Sequence, residues 1–299
     1  MLEKQKISVL MSVYVKENPT FLRDAINSIQ NQTLKPSELV LVEDGPLTPE
    51  LYQVLDQVEA ESDIPVKRCP LEENQGLGLA LRYGVLQCQY DIIARMDTDD
   101  IAVPDRFEKQ LQLMEKDNLD LLGGHIEEFI DNPDEIVSYR RVPTQHADIV
   151  AYQRMRSAFN HMTVMFKKDM VLKAGNYEDG LYMEDDLLWL NMIAVGAKTG
   201  NLNQILCQVR VGAGMFERRG GLRYLKLYRQ ARQRMLKRGQ ISYLEYAKSV
   251  AIQMVVALCP GFVRQFIFMK LLRKSKYKSV ANRKLEKKCY NNNITIQLF

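Results

Sequence analysis

From Ile7 to Met96 the chain alternates short β-branched runs with helix-period patterns, and this alternation constrains its fold more than any other feature. Ile7 to Val13 is a continuous apolar run of strand length, after which Phe21, Leu22, Ala25, Ile26 and Ile29 recur at helical spacing behind Asn18-Pro19-Thr20. Glu38 to Glu43 reads as the next strand. The helix after it has Thr48 as N-cap, Pro49 at its first position, and Leu51, Val54, Leu55 and Val58 on one face. Val66 to Cys69, a helix from Leu77 to Cys88, and a strand from Asp91 to Met96 continue the series. Such repetition predicts an α/β fold built on a parallel sheet with helices on both faces, where ligands bind beyond the carboxyl ends of the strands. A chain of 299 residues accommodates one such domain plus an appendage, with a core that needs neither disulfides nor metal staples.

The strand-end loops are rich in acids. Glu43-Asp44-Gly45-Pro46 follows the second strand, and Asp97-Thr98-Asp99-Asp100 follows the fourth. Three carboxylates within four residues repel one another unless a cation neutralises them. A hard divalent ion such as Mg²⁺ or Mn²⁺, bridging one or two carboxylates to substrate phosphates, suits that loop. A solvated acidic turn capping a helix that begins near Pro104 suits it too, because acids in a first helical turn are favoured by the helix dipole.

Taken in order, Ser8 to Tyr14, Ser28-Ile29-Gln30-Asn31-Gln32-Thr33, Val42-Glu43-Asp44-Gly45, Asn74-Gln75-Gly76, Met96 to Asp100 and Met183-Glu184-Asp185-Asp186 resemble the signatures of family 2 glycosyltransferases. The resemblance spans residues 7 to about 216 and implies the GT-A fold, a Rossmann-like mixed sheet that binds a nucleotide sugar. The stretch from Gly212 to Gly221 is similar to members that build bacterial capsular and extracellular polysaccharides, and its Arg218 and Arg219 are expected to bind the nucleotide sugar by closing over the diphosphate. The resemblance implies Ser12, Tyr14 and Asp44 around the nucleotide base, with Asp44 accepting from the base. A carboxylate and an aromatic at a strand end are chemically fit to read a uracil edge and stack on its face. Asn74, Gly76 and Arg82 fall near the nucleotide by the same resemblance, although Arg82 also fits a surface helix position. The Gly76 and Gly78 pair does not make a dinucleotide fingerprint, since Leu81 occupies the third glycine position.

By the same resemblance Asp97 and Asp99, with Asp100 adjacent, form the metal site, where one carboxylate holds the ion and another the ribose. Spacing does not assign them; Asp99 and Asp100 are the favoured pair, with Asp97 supporting. Asp185 is, again by the resemblance, the base that takes the acceptor's proton. At a helix N-terminus the dipole would favour its ionised form. Glu184, His161 and Trp189 are possible acceptor-side residues. His161 is equally readable as a structural histidine, and Trp189 as a core residue. Glu43 stands where relatives often have Asp, Leu187 where an Asp is frequent, and Asn191 where an Arg is frequent. His125 and His146 have no partner at ligand spacing.

Composition at 46% hydrophobic and 26% charged excludes disorder, collagen and a polytopic membrane protein. The net charge of +4 conceals two opposed parts: residues 217–299 hold 20 Lys and Arg against 3 Asp and Glu. A boundary is therefore expected at 216/217, between a GT-A domain and a basic helical region. In that region Leu222, Leu225 and Tyr228 recur between basic residues, which suits anionic lipid, a partner helix or a solvated face. The apolar run from Val250 to Cys259 is far too short to span a bilayer and reads as a surface-inserted or packed helix. Together with the cluster from Lys270 to Lys288, it makes an anionic membrane surface the expected partner. No helix-turn-helix or RNA-binding signature accompanies the charge, so nucleic acid is not expected. Five scattered cysteines without metal spacing read as reduced thiols, and the opening segment reads as a strand and not an export signal, so a cytoplasmic protein, peripheral on the inner face of the cell membrane, is expected.

The expected function is an inverting, Mn²⁺- or Mg²⁺-dependent transfer of a hexose from a UDP-sugar to a lipid-linked saccharide. A sugar-phosphate nucleotidyltransferase is the alternative enzyme, but Met11 to Lys16 supplies no glycine-rich phosphate loop. A non-catalytic nucleotide-sugar-binding partner of another transferase is the third reading.

Overall fold

A computed structural model describes residues 5–179, 183–212, 221–258 and 274–275. Four strands, β1 (Ile7–Val13), β2 (Glu38–Glu43), β3 (Val66–Pro70) and β4 (Ile92–Arg95), alternate with helices α1 (Pro19–Gln30), α2 (Pro49–Glu61) and α3 (Leu77–Gln87). Local chemistry sets the entry to each helix. Asn18 accepts hydrogen bonds from the amides of Thr20 (2.9 Å) and Phe21 (3.3 Å), and Pro19 supplies a preset φ at N1. β1 and β2 are buried on both faces, so the strands read as continuous apolar runs.

Further on come β5 (Ile101–Ala102), α4 (Arg106–Asp117), β6 (Leu121–Phe129), β7 (Ile136–Arg140), α5 (His146–Gln153), β8 (Met165–Lys167), α6 (Lys168–Lys173), α7 (Glu184–Ala194) and β9 (Thr199–Arg210). The C-terminal region adds α8 (Gly221–Lys237), α9 (Tyr243–Leu258) and β10 (Lys274–Ser275). Among the described residues one sheet runs in the order β10-β7-β6-β8-β4-β1-β2-β3, with β9 beside β6 and β5 beside β9.

The first four strands are parallel, as the alternation predicts, but the sheet as a whole is mixed: β8 is antiparallel to both β4 and β6. Three residues are too few to display a period, which is why β8 escapes a pattern reading. This reversed strand fills the gap between the parallel β1–β4 half of the sheet and the β6–β9 half. Helices cover both faces. One apolar cluster packs α1, α2 and α4 on one side, and a second packs α3, α6 and α7 on the other.

Helices α8 and α9 form a hairpin against α7. Ala231, Met235 and Ile241 share a buried cluster with Met183, Leu187 and Leu190. Arg232 is buried there, and its Nε donates to Ser249 Oγ at 3.0 Å while Nη2 donates to the Arg154 carbonyl. The contact face of α8 is thus centred on Ala231 and Met235, whereas Leu222, at the start of the expected stripe, is 72% exposed. The 216/217 boundary lies outside the described residues, as do Cys259 and the cluster from Lys270 to Lys288 apart from the backbone of 274–275. Among the described residues no helix is long and apolar enough to cross a membrane.

Candidate active site

The Asp97 to Asp100 loop is a short excursion between β4 and β5. Pairing of Ile101 and Ala102 with Gln208 and Cys207 of β9 pins its far end, and the Arg210 amide donates to Asp100 Oδ1 at 2.9 Å. Oxygen atoms of Asp97, Asp99 and Asp100 lie within 4.8 Å of one another. Burial, then the charges of Asp99 and Asp97, push the Asp100 carboxyl well above the usual carboxylate range. A compact set of hard oxygen donors, repelling one another, fits a divalent ion with oxygen coordination.

Two arginines that the sequence reading missed lie under this loop. Arg95, the last residue of β4, is 1% exposed and pairs with Asp97. Arg106 is wholly buried and donates to the Arg95 carbonyl at 2.7 Å and to Gln110 Oε1 at 2.9 Å. An Arg closing the apolar run Ile92-Ile93-Ala94 was the available signal, because a charge inside a two-face-buried strand needs a partner.

On the nucleotide side, Ser12 and Tyr14 are half-buried at the carboxyl end of β1. Asp44 is 3% exposed, and its carboxylate accepts from Gln75 N (2.7 Å), Gly76 N (3.0 Å) and Asn74 Nδ2 (3.0 Å). Asp44 therefore shapes the 74–76 loop, where Gly76 adopts a φ of +87° as it caps α3. The Glu43 carboxylate turns away to Arg68 Nε at 2.6 Å. Arg82 is exposed on α3 and donates to the carbonyls of Tyr177 (2.9 Å) and Gly175 (3.3 Å). That is the surface-helix reading of Arg82, which ties α3 to the segment leading into the second acidic motif.

That motif forms the first turn of α7. Gly78 lets it approach: a Cβ at Gly78 would lie 2.6 Å from the Glu178 carbonyl oxygen and 3.0 Å from Glu184 Cβ. The glycines of the 76–78 stretch are thus explained by a turn and a close approach. Asp186 accepts from Gln153 Nε2 at 2.6 Å and faces α5. Asp185 Oδ1 accepts from the Asp186 amide at 2.8 Å.

The dipole was expected to favour ionised Asp185. Burial, followed by the charges of Asp186 and Glu184, overrides it and pushes the Asp185 carboxyl well above the usual range. Glu184 is raised too, chiefly by burial, and the charges of Arg95 and Asp97 reach it. The two acidic motifs therefore share one electrostatic environment.

His161 Nε2 lies 2.9 Å from the Tyr177 hydroxyl, and burial, then Arg95, holds its imidazole well below the ordinary range. A neutral, hydrogen-bonded histidine at the rim of the core is what remains. Trp189 is 0% exposed, with ring centroids 5.7 Å from Phe159 and 5.9 Å from His161. With no exposed face, the ring packs in the core, against the stacking role. His125 and His146 bond to Asn203 and Thr199, as structural histidines do. Asn191 accepts from Gln240 Nε2 at 2.7 Å, so the C-terminal hairpin holds it. Arg218 and Arg219 lie outside the described residues. Cys69, Cys88 and Cys207 are free and buried, and burial pushes the thiols of Cys88 and Cys207 up to about 12.

Residues 8–172 match the family described as Glycosyl transferase family 2. The amylovoran biosynthesis glycosyltransferase AmsE of Erwinia amylovora is 39% identical over 264 residues, covering 88% of this chain and 98% of that protein. The UDP-Gal:alpha-D-GlcNAc-diphosphoundecaprenol beta-1,3-galactosyltransferase of Escherichia coli is 36% identical over 270 residues, covering 90% and 97%. Among solved structures, the mannosyltransferase PcManGT of Pyrobaculum calidifontis, in complex with GDP-Man and Mn²⁺, aligns with a TM-score of 0.60 at 14% identity over 79% of this chain and 65% of that one. At that identity the likeness is one of fold.

Proposed function

The chain belongs to glycosyl transferase family 2 and has the GT-A fold, and from that premise we propose that it transfers a hexose from a UDP-sugar to a lipid-linked saccharide with inversion. That it is a glycosyltransferase of polysaccharide biosynthesis follows from its relatives. The observation that carries the finer reading is the pairing of two acidic motifs within one electrostatic environment: a metal-fit loop at Asp97 to Asp100, and Asp185 at the start of α7.

Each residue then has a task. Ser12, Tyr14 and the 74–76 loop shaped by Asp44 receive the nucleotide. Asp99 and Asp100 would hold Mn²⁺ or Mg²⁺, and a bound ion there supplies Lewis-acid stabilisation of the diphosphate. Asp185 takes the proton of the acceptor hydroxyl as its oxygen bonds to the anomeric carbon and the bond from that carbon to the diphosphate oxygen breaks. One base opposite the leaving group suffices for inversion. The raised Asp185 carboxyl suits a base working near neutral pH better than an ordinary carboxylate does.

A diphosphate-linked lipid acceptor is supported by the name of the Escherichia coli relative, and a UDP-sugar donor likewise. Attachment to an anionic membrane surface is supported by the charge of residues 217–299 and by the outer side of α9, where Leu244, Ile252 and Val255 are more than half exposed. Incubation with a panel of UDP-sugars, Mn²⁺ and a GlcNAc-diphospho-lipid, followed by measurement of UDP release and product mass, tests the reaction. Release of UDP with no glycosylated lipid from any donor would reject the acceptor class. Sedimentation with anionic but not neutral vesicles, weakened by salt, tests the attachment.

A further inference from the structure

The transfer chemistry leaves the two arginines beneath the metal loop without a role. The Arg95 Nη2 pairs with Asp97, while its Nε and Nη1, both buried, find no hydrogen-bond partner among the described residues. Among the described residues Arg106 meets no carboxylate: its donors go to Gln110, to the carbonyls of Arg95 and Val164, and to the sulfurs of Met96 and Cys207. A guanidinium stays charged in a protein, and an apolar side chain of similar size would fill the same space without the desolvation penalty. The charge itself therefore calls for an explanation.

We infer that Arg95 is a positioning residue that withholds Asp97 from the divalent ion and makes ion binding depend on the diphosphate of the nucleotide donor. The inference rests on the proposed metal role of the Asp97 to Asp100 loop. Even with all three carboxylates ionised, the two buried guanidiniums leave at most a single net negative charge, a weak hold on a divalent ion alone. A diphosphate contributes the missing negative charge and oxygen ligands. By linkage, ion and nucleotide then raise each other's affinity by the same factor. Asp97, engaged by Arg95, keeps its loop in place, and the ion falls to Asp99 and Asp100.

The test titrates Mn²⁺ calorimetrically into the full chain, without UDP and with saturating UDP, with the electron spin resonance of free Mn²⁺ as a second readout. Wild type should bind Mn²⁺ weakly alone and much more tightly with UDP. Arg95→Gln should bind Mn²⁺ alone on the order of tenfold more tightly, with a smaller gain from UDP. Arg95→Lys keeps the charge and should stay within about threefold of wild type. A gain in ion affinity is an outcome that mere structural damage does not produce. If Arg95→Gln melts as wild type does but binds Mn²⁺ no better, the inference is overturned while the proposed metal site stands. If it fails to fold, Asp97→Asn decides: with UDP it should retain Mn²⁺ binding that Asp99→Asn loses, and equal losses overturn the inference. A wild type that binds no Mn²⁺ even with UDP removes the metal reading, and this inference with it.

Discussion

Gly78→Ala tests whether α3 sets the position of the proposed base. The added Cβ would sit 2.6 Å from the Glu178 carbonyl oxygen, against roughly 3.3 Å for an ordinary carbon–oxygen contact, so the approach must open by about 0.7 Å. Overpacking of this kind costs about 1–3 kcal/mol, and replacing a helical glycine returns about 1 kcal/mol. Net destabilisation of about 0–2 kcal/mol leaves the fold intact. Catalysis is more sensitive: the same opening moves Glu184, whose Cβ would be 3.0 Å from the new atom, and with it Asp185. A misplacement near 1 Å at a reacting group costs up to about 10²-fold, so kcat should fall roughly 10- to 100-fold. Calorimetry should find UDP·Mn²⁺ affinity within about threefold of wild type, because the metal loop hangs on β4, β5 and β9. Wild-type kcat in a variant of unchanged or raised Tm would refute the reasoning.

Two further perturbations follow from the same structure. Because burial and neighbouring charge raise the Asp185 carboxyl and a base must be ionised, kcat should rise with pH along a limb centred above the ordinary carboxylate range, and Asp186→Asn should move that limb down. A limb at ordinary carboxylate pH in wild type contradicts this. In stability the same shift has the opposite sense: the raised acid contributes stability below the ordinary carboxylate pKa and loses it as pH rises through the raised one. Asp185→Asn should therefore raise Tm at pH 8 and leave it unchanged near pH 3, as differential scanning fluorimetry can show. Met235→Ala removes a wholly buried side chain from the contact between α8 and α7 and should destabilise by about 2–5 kcal/mol, lowering kcat with it; an unchanged Tm would mean that the hairpin is not part of the folded unit.

Legibility in the sequence followed burial pattern. β1 to β4 and their helices were readable because two-face burial makes unbroken apolar runs and because Asn18, Thr48 and the prolines after them mark helix entries. The Asp97 to Asp100 loop was readable because three carboxylates crowded on a strand-end loop repel one another, whereas Glu184 to Asp186, the first turn of α7, was readable only through the family resemblance. β8 was not readable as antiparallel, since three residues carry no directional signal. Arg95 and Arg106 were missed because their burial depends on contacts with Asp97, Gln110 and Val164, which come from several parts of the chain. Trp189 and Arg82 show the converse: each has chemistry suited to a ligand, and each is engaged by protein, in the core and at the Gly175–Tyr177 carbonyls respectively.

Division of labour between the two acidic motifs is tested most directly by Asp185→Asn, measured for UDP·Mn²⁺ binding by calorimetry and for single-turnover transfer from a radiolabelled UDP-sugar to the diphospho-lipid acceptor. With Asp185 acting only on the acceptor hydroxyl, binding should match wild type and transfer should slow by at least about 10²-fold, the scale of a lost general base. Near-normal transfer, or a loss of UDP binding as deep as that of Asp99→Asn, would contradict it.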